Sequence, residues 1–271
     1  MFQNKTIFIT GASRGIGKAI AIKLAKEGAN IVVAAKSTAE NPKLGGTIYS
    51  AAKDIEATGG KALALQVDIR NEDQIKDAVA KAVATFGGID VLINNASAIQ
   101  LAGTLQTEAK RFDLMHDINV RGTFLMAQAC IPHLQKSSNA HILTLSPPIN
   151  IIDKWLSPHI AYTMSKFNMS MMALAWAAEF KKDGIASNAL WPRTTIDTAA
   201  VRNLLGGETL ANMSRTTDIL ADAAYFILSK TNCEYTGNTF IDEDVLAKEG
   251  IIDLAKYSVV AGAKLYQDLF V

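Results

Sequence analysis

A tyrosine and a lysine that could act together in proton transfer stand one helical turn apart. Tyr162 and Lys166 lie in a stretch from His159 to about Lys182 that is predicted to be a helix, and residues four apart share one helix face. An ammonium beside a phenol stabilises the phenolate and lowers its pKa from about 10. Such a phenol can exchange a proton with a carbonyl or alcohol oxygen. The spacing alone is common on exposed helices, so its meaning depends on other motifs.

A glycine-rich turn follows the first predicted strand, which runs from Thr6 to Thr10. The turn reads Gly11-Ala12-Ser13-Arg14-Gly15-Ile16-Gly17 and opens a predicted helix. Glycines permit a tight turn, and they let the backbone approach a pyrophosphate at the helix N-terminus. A purely structural glycine turn is the alternative, but the position between the first strand and the first helix favours a dinucleotide site.

These motifs resemble those of the short-chain dehydrogenase/reductase family over most of the chain. The turn has the family's Thr-Gly-x-x-x-Gly-x-Gly spacing, and Asn94 to Ser97 resembles its Asn-Asn-Ala-Gly, with Ser97 in place of glycine. Asp68 stands where the family places an aspartate near the adenine. The resemblance implies a Rossmann-type, doubly wound α/β fold, with a mostly parallel seven-stranded sheet and helices on both faces.

The resemblance also implies roles for four polar side chains. Tyr162 is the implied acid/base, and Ser146 is the group implied to hydrogen-bond the substrate oxygen. Lys166 is implied to bind the nicotinamide ribose and to tune Tyr162, and Asn119 to hold a water in a proton relay. The predicted cofactor-binding residues are Gly11, Ser13, Arg14, Gly15, Ile16, Gly17, Lys36, Asp68, Asn95, Ala96, Ser97, Tyr162, Lys166, Pro192 and Thr194.

The end of the second predicted strand bears on which nicotinamide cofactor is bound. It reads Ala34-Ala35-Lys36, without the carboxylate that binds a ribose 2′-hydroxyl and repels a 2′-phosphate. Lys36 and Arg14 supply two cations with no anion expected nearby, which suits a 2′-phosphate. Two solvated surface charges are the alternative interpretation. We predict NADP(H) in preference to NAD(H), and no metal.

The departures from the family pattern concern the substrate side. The segment between Ser146 and Tyr162 is longer than in most family members and contains Pro148 and Trp155, which predicts a stiff, partly aromatic wall. Another tryptophan, Trp191, comes where the family usually has a Pro-Gly pair. The predicted substrate-lining residues are Ser146, Pro148, Trp155 and Trp191. The predicted substrate is a small carbonyl or alcohol compound, apolar or lipid-like.

These departures resemble the hydroxysteroid dehydrogenase-like subgroup of the family. The shared motifs are Ser-Pro-Pro from Ser146, Ala-Leu-Trp-Pro from Ala189 and Tyr-Thr-Gly-Asn from Tyr235. An acidic run, Asp242-Glu243-Asp244, follows the last motif. Carboxylate clusters without a defined loop are weak signals for a cation site, so we interpret the run as a solvated turn.

Short apolar runs alternate with longer amphipathic segments, which predicts a parallel sheet with helical crossovers. The strands are nearly all apolar, as expected when helices cover both faces. After the first strand, the predicted strands are residues 30–35, 62–67, 89–93, 141–145, 185–190 and 238–241. The predicted helices are residues 15–27, 47–58, 71–86, 107–134, 159–182 and 218–228, and residues 37–46 are predicted to form a surface loop.

Length and composition fit one domain of this kind. We predict a single domain over residues 1–271, with a dinucleotide-binding part at about 1–145 and a catalytic and substrate-binding part at about 146–271. The net charge of +1, without a basic stripe, argues against nucleic-acid binding. Cys130 and Cys233 are too few for a disulfide framework and fit a reducing compartment. No signal sequence or membrane span is predicted, so we expect a cytoplasmic protein.

Three functions follow from these features, and reversible hydride transfer to or from an NADP(H)-linked carbonyl substrate is the one we favour. The alternatives are an NADP(H)-binding sensor or scaffold without turnover, which the altered loops suggest, and an NAD-linked alcohol dehydrogenase. In the family, the helices corresponding to residues 107–134 and 159–182 often pair between subunits. The resemblance therefore also implies a homodimer or a homotetramer.

Overall fold

A computed structural model describes residues 2–231 and 235–271 of the chain. Its central element is a sheet of seven strands in the order β3-β2-β1-β4-β5-β6-β7, in which all neighbours are parallel. The strands are β1 (Thr6–Thr10), β2 (Asn30–Ala35), β3 (Lys61–Gln66), β4 (Val91–Asn94), β5 (Ala140–Leu145), β6 (Ile185–Trp191) and β7 (Thr239–Ile241). This topology confirms the predicted fold class.

Helices form the crossovers between the parallel strands. They are α1 (Gly15–Lys26), α2 (Ile48–Glu56), α3 (Glu72–Phe86), α4 (Ala109–Met115), α5 (Thr123–Leu134), α6 (Asp153–Leu156), α7 (Ile160–Glu179), α8 (Gly207–Asn212), α9 (Asp218–Leu228) and α10 (Asp242–Lys248). The strand order reverses at β1 and β4, whose following loops diverge and leave a crevice at the carboxyl edge of the sheet. This crevice is where the fold places a ligand.

Alternate residues of a strand face opposite sides of the sheet, and each side carries a layer of helices. Ile7 and Ile9 of β1 pack in a core with α1, α2, α9 and α10, whereas Phe8 packs in a second core with α3, α5 and α7. Every residue of β1, β2 and β5 is therefore buried. Burial on both faces explains why the strands are continuous apolar runs in the sequence.

The predicted helix over residues 107–134 is correct in extent but not in form. It consists of α4, a π-helical segment (His116–Gly122) and α5. Apolar periodicity cannot distinguish a single wide turn from a regular helix, so the π-helical segment could not be predicted from it. The π-helical segment carries Asn119, whose side chain is fully buried.

The interpretation of the acidic run as a solvated turn is wrong. Asp242 is the first residue of α10 and is fully buried. Its Oδ1 accepts hydrogen bonds from the backbone N–H groups of Arg193 at 2.9 Å and Glu243 at 2.8 Å. Asp244 pairs with the Arg193 guanidinium, and Glu243 with that of Arg215. The run therefore fastens the loop after β6 to α10.

Several other features bear on the predictions. Cys130 on α5 is a buried free thiol, and Cys233 lies outside the described residues. Among residues 2–231 and 235–271, no helix is long and apolar enough to cross a membrane. Within the same residues, no group of three or more His, Cys, Asp or Glu side chains is arranged to hold a metal ion.

Candidate active site

The glycine turn between β1 and α1 needs glycine for two different reasons. Gly11 and Gly15 have φ values of +67° and +56°, a backbone region that other residues rarely adopt. Gly11 also approaches the loop after β4, since a Cβ at this position would lie 2.9 Å from Cα of Ala96. A Cβ on Gly17 would meet the amide of Asn95 and lie 2.9 Å from the Gly11 carbonyl oxygen.

Asn95 joins the loop after β4 to the glycine turn. Its Nδ2 donates to the carbonyl oxygens of Thr10 at 2.9 Å and Gly11 at 3.1 Å. In return, the backbone N–H groups of Asn95 and Ala96 donate to Oγ1 of Thr10 at 3.0 and 3.1 Å. The two loops that border the crevice are thereby held together by four hydrogen bonds. Asn95 thus has a structural reason to be present, beside its predicted contact with the cofactor.

A cleft of about 290 Å³ opens between these two loops. It brings together eight of the predicted cofactor-binding residues, namely Gly11, Ser13, Arg14, Lys36, Asp68, Asn95, Ala96 and Ser97. Ser37 and Ile118 also line it and were not predicted. Gly15 borders a neighbouring polar depression, and Ile16 faces the cavity described below.

The guanidinium of Arg14 lies beside the end of β2, where the sequence placed it. Its Nη2 donates to Oγ of Ser37 at 2.8 Å and to the Gly46 carbonyl oxygen at 3.0 Å, and its Nε donates to the Gly45 carbonyl oxygen at 2.7 Å. These acceptors are uncharged, so the positive charge of Arg14 faces the cleft without a carboxylate partner among the described residues. The hydroxyl of Ser37 was not predicted from the sequence, although this polar residue directly follows Lys36.

The expectation of no anion near Lys36 is wrong. Nζ of Lys36 lies 3.9 Å from Oδ2 of Asp68. Asp68 is held more closely by Arg70, whose Nη2 lies 2.6 Å from the same oxygen, and that hydrogen bond is the main cause lowering the pKa of Asp68. The charge of Lys36 is therefore only partly compensated. The side chain of Lys36 is 56% exposed and remains mobile enough to reach a second anion.

Of the four predicted catalytic side chains, Ser146 lies at the carboxyl end of β5, Tyr162 and Lys166 lie on α7, and Asn119 lies on the π-helical segment; all are buried. Tyr162 and Lys166 lie one turn apart on α7, as predicted. Nζ of Lys166 donates to the carbonyl oxygen of Leu145 at 2.6 Å and lies 3.4 Å from Sδ of Met169. Ser146 follows β5 directly, and its buried Oγ has no hydrogen-bond partner within the described residues.

Asn119 connects the π-helical segment to two other parts of the site. Its side-chain amide accepts from the backbone N–H of Ala98 at 2.8 Å and donates to the Ala98 carbonyl oxygen at 2.9 Å. It also donates to Oγ of Ser165 at 2.9 Å, next to Lys166 on α7. These three hydrogen bonds of the Asn119 amide join the loop after β4 to α7. Its predicted role in a water relay stays a prediction.

Burial dominates the electrostatics of this end of the crevice. It raises the pKa of the Tyr162 phenol above its ordinary value, and the negative charge of Asp268 adds to that rise. Burial lowers the pKa of Lys166 to about 7, against the opposing effect of Asp268. We expected Lys166 to lower the pKa of Tyr162. In this conformation the ammonium of Lys166 donates to the Leu145 carbonyl oxygen instead, and desolvation of the phenol determines the pKa of Tyr162.

An apolar cavity of about 690 Å³ adjoins Tyr162. Ile16, Trp191 and Pro192, all predicted site residues, form part of its wall. The remaining wall is largely aliphatic and includes Ile99, Leu101, Leu145, Val201, Leu204, Leu205, Leu210 and Met213. Many of these come from the segment between β6 and α9.

Trp155, Pro148 and Thr194, which were also predicted site residues, are not among the residues that line this cavity. Trp155 is buried against Phe270, with ring centroids 5.7 Å apart. Pro148 is half-buried in the loop after β5. Thr194 pairs with Gln267 in an isolated antiparallel bridge, and its Oγ1 is buried without a hydrogen-bond partner in the described chain. Trp191 is therefore the aromatic residue of the predicted lining set that the structure places in the cavity.

Comparison with known proteins agrees with this geometry. A family model described as short chain dehydrogenase matches residues 5–208. This chain belongs to the short-chain dehydrogenase/reductase family. Hydroxysteroid dehydrogenase-like protein 2 of Xenopus tropicalis is 58% identical over 265 residues, and that of Homo sapiens is 56% identical. Each alignment covers 98% of this chain and 63% of the relative, so the chain spans less than two thirds of these relatives.

Solved structures extend the similarity to the whole fold. A putative dehydrogenase from Xanthomonas campestris is 52% identical with a TM-score of 0.96, covering 100% of this chain and 99% of that one. A short chain dehydrogenase from Mycobacterium thermoresistibile is 53% identical with a TM-score of 0.95, covering 100% and 96%. Short-chain dehydrogenases/reductases use a nicotinamide cofactor, which agrees with the glycine turn at the crevice.

One part of this family member's site was missed from the sequence, namely residues 266–270, which cover Tyr162. The ring of Phe270 packs against five aromatic side chains, those of Trp155, His159, Tyr162, Phe167 and Trp191. The sequence shows only two aromatic residues flanking Gln-Asp-Leu, about a hundred positions after Tyr162. Nothing in a local pattern indicates which distant surface such a segment covers.

Proposed function

We propose that this chain transfers a hydride between NADP(H) and a carbonyl or alcohol carbon of an apolar substrate, with Tyr162 as the acid/base. One observation carries the proposal. Tyr162 forms part of the wall of an apolar cavity, one helical turn from the buried Lys166 and in the crevice that begins at the glycine turn. Binding, orientation and a positioned proton are what a protein contributes to chemistry of this kind.

The crevice fits a dinucleotide. The two glycines whose Cβ would collide with the 95–96 loop keep a narrow path open along the start of α1, where backbone N–H groups attract phosphate. Gly11, Ser13 and Asn95 would hold the pyrophosphate side, with Ile16 and Pro192 against the nicotinamide. When bound, the nicotinamide supplies or accepts the hydride.

NADP(H) is the proposed form because of the charges at the end of β2. Arg14 and Lys36 both line the cleft there, and Ser37 supplies a hydroxyl between them. A 2′-phosphate offers each of these groups a charge-assisted acceptor. Asp68 lowers the gain from Lys36, because the two charges already lie 3.9 Å apart. Arg14 is therefore the stronger determinant of the two in this proposal.

Proton transfer falls to Tyr162, with two groups assisting it. The Oγ of Ser146 is buried and unpartnered, so it is available to hydrogen-bond the substrate oxygen. The ammonium of Lys166, which donates to the Leu145 carbonyl oxygen in this conformation, would favour the phenolate electrostatically once it turned towards Tyr162. Reduction would take the proton from Tyr162 to the substrate oxygen, and oxidation would return it.

A second candidate is an NADP(H)-binding sensor that does not turn over. The cover formed by residues 266–270 and the desolvation that raises the pKa of Tyr162 favour it. An NAD-linked alcohol dehydrogenase is the third candidate, supported by the anion that Lys36 already faces. Each candidate gives a different result in one experiment.

That experiment is a titration of the protein with NADPH and with NADH, followed by an assay of a panel of apolar ketones and aldehydes. We expect NADPH to bind at least about tenfold more tightly than NADH, with turnover of some panel members. Tight NADPH binding without any turnover would favour the sensor. A preference for NADH would overturn the cofactor assignment and support the alcohol dehydrogenase, and failure of both to bind would overturn the oxidoreductase proposal.

We also propose that the chain forms a homodimer or homotetramer through α5 and α7. Phe124 on α5 and Met164 and Met171 on α7 are 47%, 44% and 56% exposed. Apolar side chains of this size on neighbouring helices suit burial between subunits. Light scattering coupled to gel filtration tests the proposal, since an unassociated chain of 29.1 kDa would overturn it.

A further inference from the structure

The cavity beside Tyr162 contains one charged side chain, that of Asp268. Every other lining residue in the described chain is apolar or uncharged. Burial raises the pKa of Asp268 to about 7, although the backbone N–H of Leu269 and the charge of Lys166 oppose the rise. No cation lies within 4.0 Å of its carboxyl among residues 2–231 and 235–271. A carboxyl in an apolar cavity without an ion-pair partner is costly, and such groups are kept where they bind something.

The backbone around Asp268 is fixed at three places, so its carboxyl is not a chance surface group. The N–H of Asp268 donates to the Arg193 carbonyl oxygen at 3.0 Å. Nε1 of Trp191 donates to the Leu269 carbonyl oxygen at 2.8 Å, and the N–H of Leu269 donates to Oδ1 of Asp268 itself at 2.7 Å. One carboxyl oxygen is therefore occupied, and the other is left for a partner in the cavity.

Phe270 supplies a second reason to regard this segment as placed for function. Its φ of +74° lies in the left-handed region, which is unfavourable for a residue with a large side chain. Its ring is nevertheless 1% exposed within the aromatic cluster. The packing holds a strained backbone in place two residues after Asp268, and strain of this kind concentrates at functional sites.

We propose that Asp268 determines substrate specificity, by accepting a hydrogen bond from a hydroxyl or ammonium group of the substrate and by excluding substrates with a carboxylate at that end of the cavity. The inference rests on the proposed function, because it takes this cavity as the substrate site. The substrate class is thereby narrowed to apolar carbonyl or alcohol compounds that carry a hydrogen-bond donor, and no acid, near the reacting carbon.

The chemistry of the cavity supports this choice of partner. Above a pH of about 7 the Asp268 carboxyl is ionised. In that form it accepts hydrogen bonds and cannot donate one, so a donor satisfies it and a second carboxylate repels it. In a low-dielectric cavity, both the attraction and the repulsion are stronger than in water. The aliphatic walls at Leu204, Leu205 and Met213 add binding for the apolar part of the same molecule without selecting its charge.

The test uses three probes with the same apolar chain and different ends, namely octylamine, octanol and octanoate. Isothermal titration calorimetry measures their binding to the protein, both free and saturated with NADP⁺. We expect octanol and octylamine to bind at least about tenfold more tightly than octanoate. In Asp268→Asn the three probes should bind within about threefold of one another, since the amide is uncharged and both donates and accepts.

Two further variants keep the result interpretable. Asp268→Glu retains the charge and should retain the discrimination against octanoate. Asp73→Asn makes the same change in net charge at an exposed position on α3, and it should leave all three affinities unchanged.

Equal binding of octanoate and octanol to the wild type would overturn the proposal, as would an unchanged ratio in Asp268→Asn. Binding of none of the probes would overturn it too, because the cavity would not be a site for apolar chains. The probe affinities require no turnover and are also measured without NADP⁺. If the cofactor assignment is wrong, the nucleotide titration will therefore show it, and the affinities of the three probes can still be interpreted.

Discussion

The two ends of the crevice differ in how far their charged groups are exposed to water. At the nucleotide end, charged side chains stand at the surface, as in Arg14, Lys36 and Asp68, and their partners lie nearby in space. At the other end, Tyr162 and Asp268 line a cavity whose wall is otherwise apolar or uncharged, and Lys166 is buried one helical turn from Tyr162. Water screens the first set of charges and barely screens the second. Single substitutions should therefore have small effects at the nucleotide end and large ones in the cavity.

The difference also separates two kinds of specificity. The nucleotide end recognises charge through groups that can rearrange, so each contributes a modest share. Under the proposed function, the cavity would recognise its ligand with few polar groups that are fixed in place, so each one would have a large effect on which ligand binds. The predictions below test this contrast, beginning where the expected effect is largest.

Removing the phenol should give the largest effect. Tyr162→Phe keeps the ring and its packing against Phe270 but cannot transfer a proton. We expect kcat to fall by about a hundredfold to ten-thousandfold, because this is the usual contribution of a positioned acid/base. Steady-state kinetics on any panel substrate that the wild type reduces measures the loss.

The same variant should bind NADPH within about threefold of the wild type, since nucleotide contacts lie mainly at the other end of the crevice. Thr163→Ser, on the same turn of α7 but bonded to the Trp155 carbonyl oxygen, is the matched control. A Tyr162→Phe enzyme with nearly full kcat would show that the proton comes from elsewhere. A large loss of NADPH affinity would show that the two ends are not independent.

The residues predicted for the nucleotide end come together in one cleft of the structure because their sequence signals are local. The glycine turn, Lys36 and Asn95 each follow directly after a strand, and the carboxyl ends of parallel strands meet at one edge of the sheet. The boundaries of β1, β2 and α9 agree with the predicted ones residue for residue. Ser37 was missed only because a lone serine has many explanations.

The cavity end could not be predicted to the same depth, because its members are far apart in the sequence. The placement of Trp155 behind Phe270 depends on where residues 266–270 fold back, and no periodicity encodes this. The burial of Asp242 has the same origin, since an acidic run is solvated unless other segments cover it. Resemblance supplied Tyr162 and Lys166, but the structure was needed to show Asp268.

Loss of the aromatic anchor should be the next largest effect. Phe270→Ala removes a ring that packs against five others, and such truncations cost about 3–5 kcal/mol of unfolding free energy. Phe270→Gly also loses the ring but tolerates the φ of +74°, so it should be more stable than Phe270→Ala by up to about 1 kcal/mol. Urea unfolding measures both variants.

The control for this pair is Tyr49→Ala, at a ring on α2 that is 59% exposed. Equal losses for Tyr49→Ala and Phe270→Ala would mean that residues 266–270 do not contribute to the folded core. Greater stability of Phe270→Ala than of Phe270→Gly would contradict the strained backbone at this position.

The buried carboxyl of Asp242 should make stability depend on pH. Burial raises its pKa to about 7 from an ordinary value of 3.8, so between these values the folded state keeps a proton that the unfolded state has released. Unfolding free energy contributed by this group is therefore fully present at low pH and is lost as the pH rises through about 7. Its other oxygen, Oδ2, is buried without a partner in the described chain.

Asp242→Asn should remove this dependence while keeping the acceptor for Arg193 and Glu243. We expect the stability of the variant relative to the wild type to rise by about 2 kcal/mol between pH values of roughly 4 and 8. Urea unfolding across that range measures the change, with Asp73→Asn correcting for net charge. A relative stability independent of pH would show that Asp242 titrates alike in the folded and unfolded states.

The smallest effect is expected at Lys36, because the carboxylate of Asp68 already compensates part of its positive charge. Lys36→Ala should weaken NADPH binding by about fivefold at low salt and leave NADH binding unchanged, since only NADPH offers a 2′-phosphate. Added salt should shrink the difference, because exposed charges are screened over about 10 Å at moderate ionic strength. Lys53→Ala, at an exposed lysine on α2, is the control.

Asp68→Asn sharpens the same test from the other side of the contact. Removing the carboxylate frees Lys36 from the charge 3.9 Å away, so NADPH should bind somewhat more tightly and NADH should not. If Lys36→Ala instead weakened the binding of NADPH and of NADH equally, the charge of Lys36 would contribute to pyrophosphate binding or to folding. The preference for a 2′-phosphate would then rest on Arg14 alone.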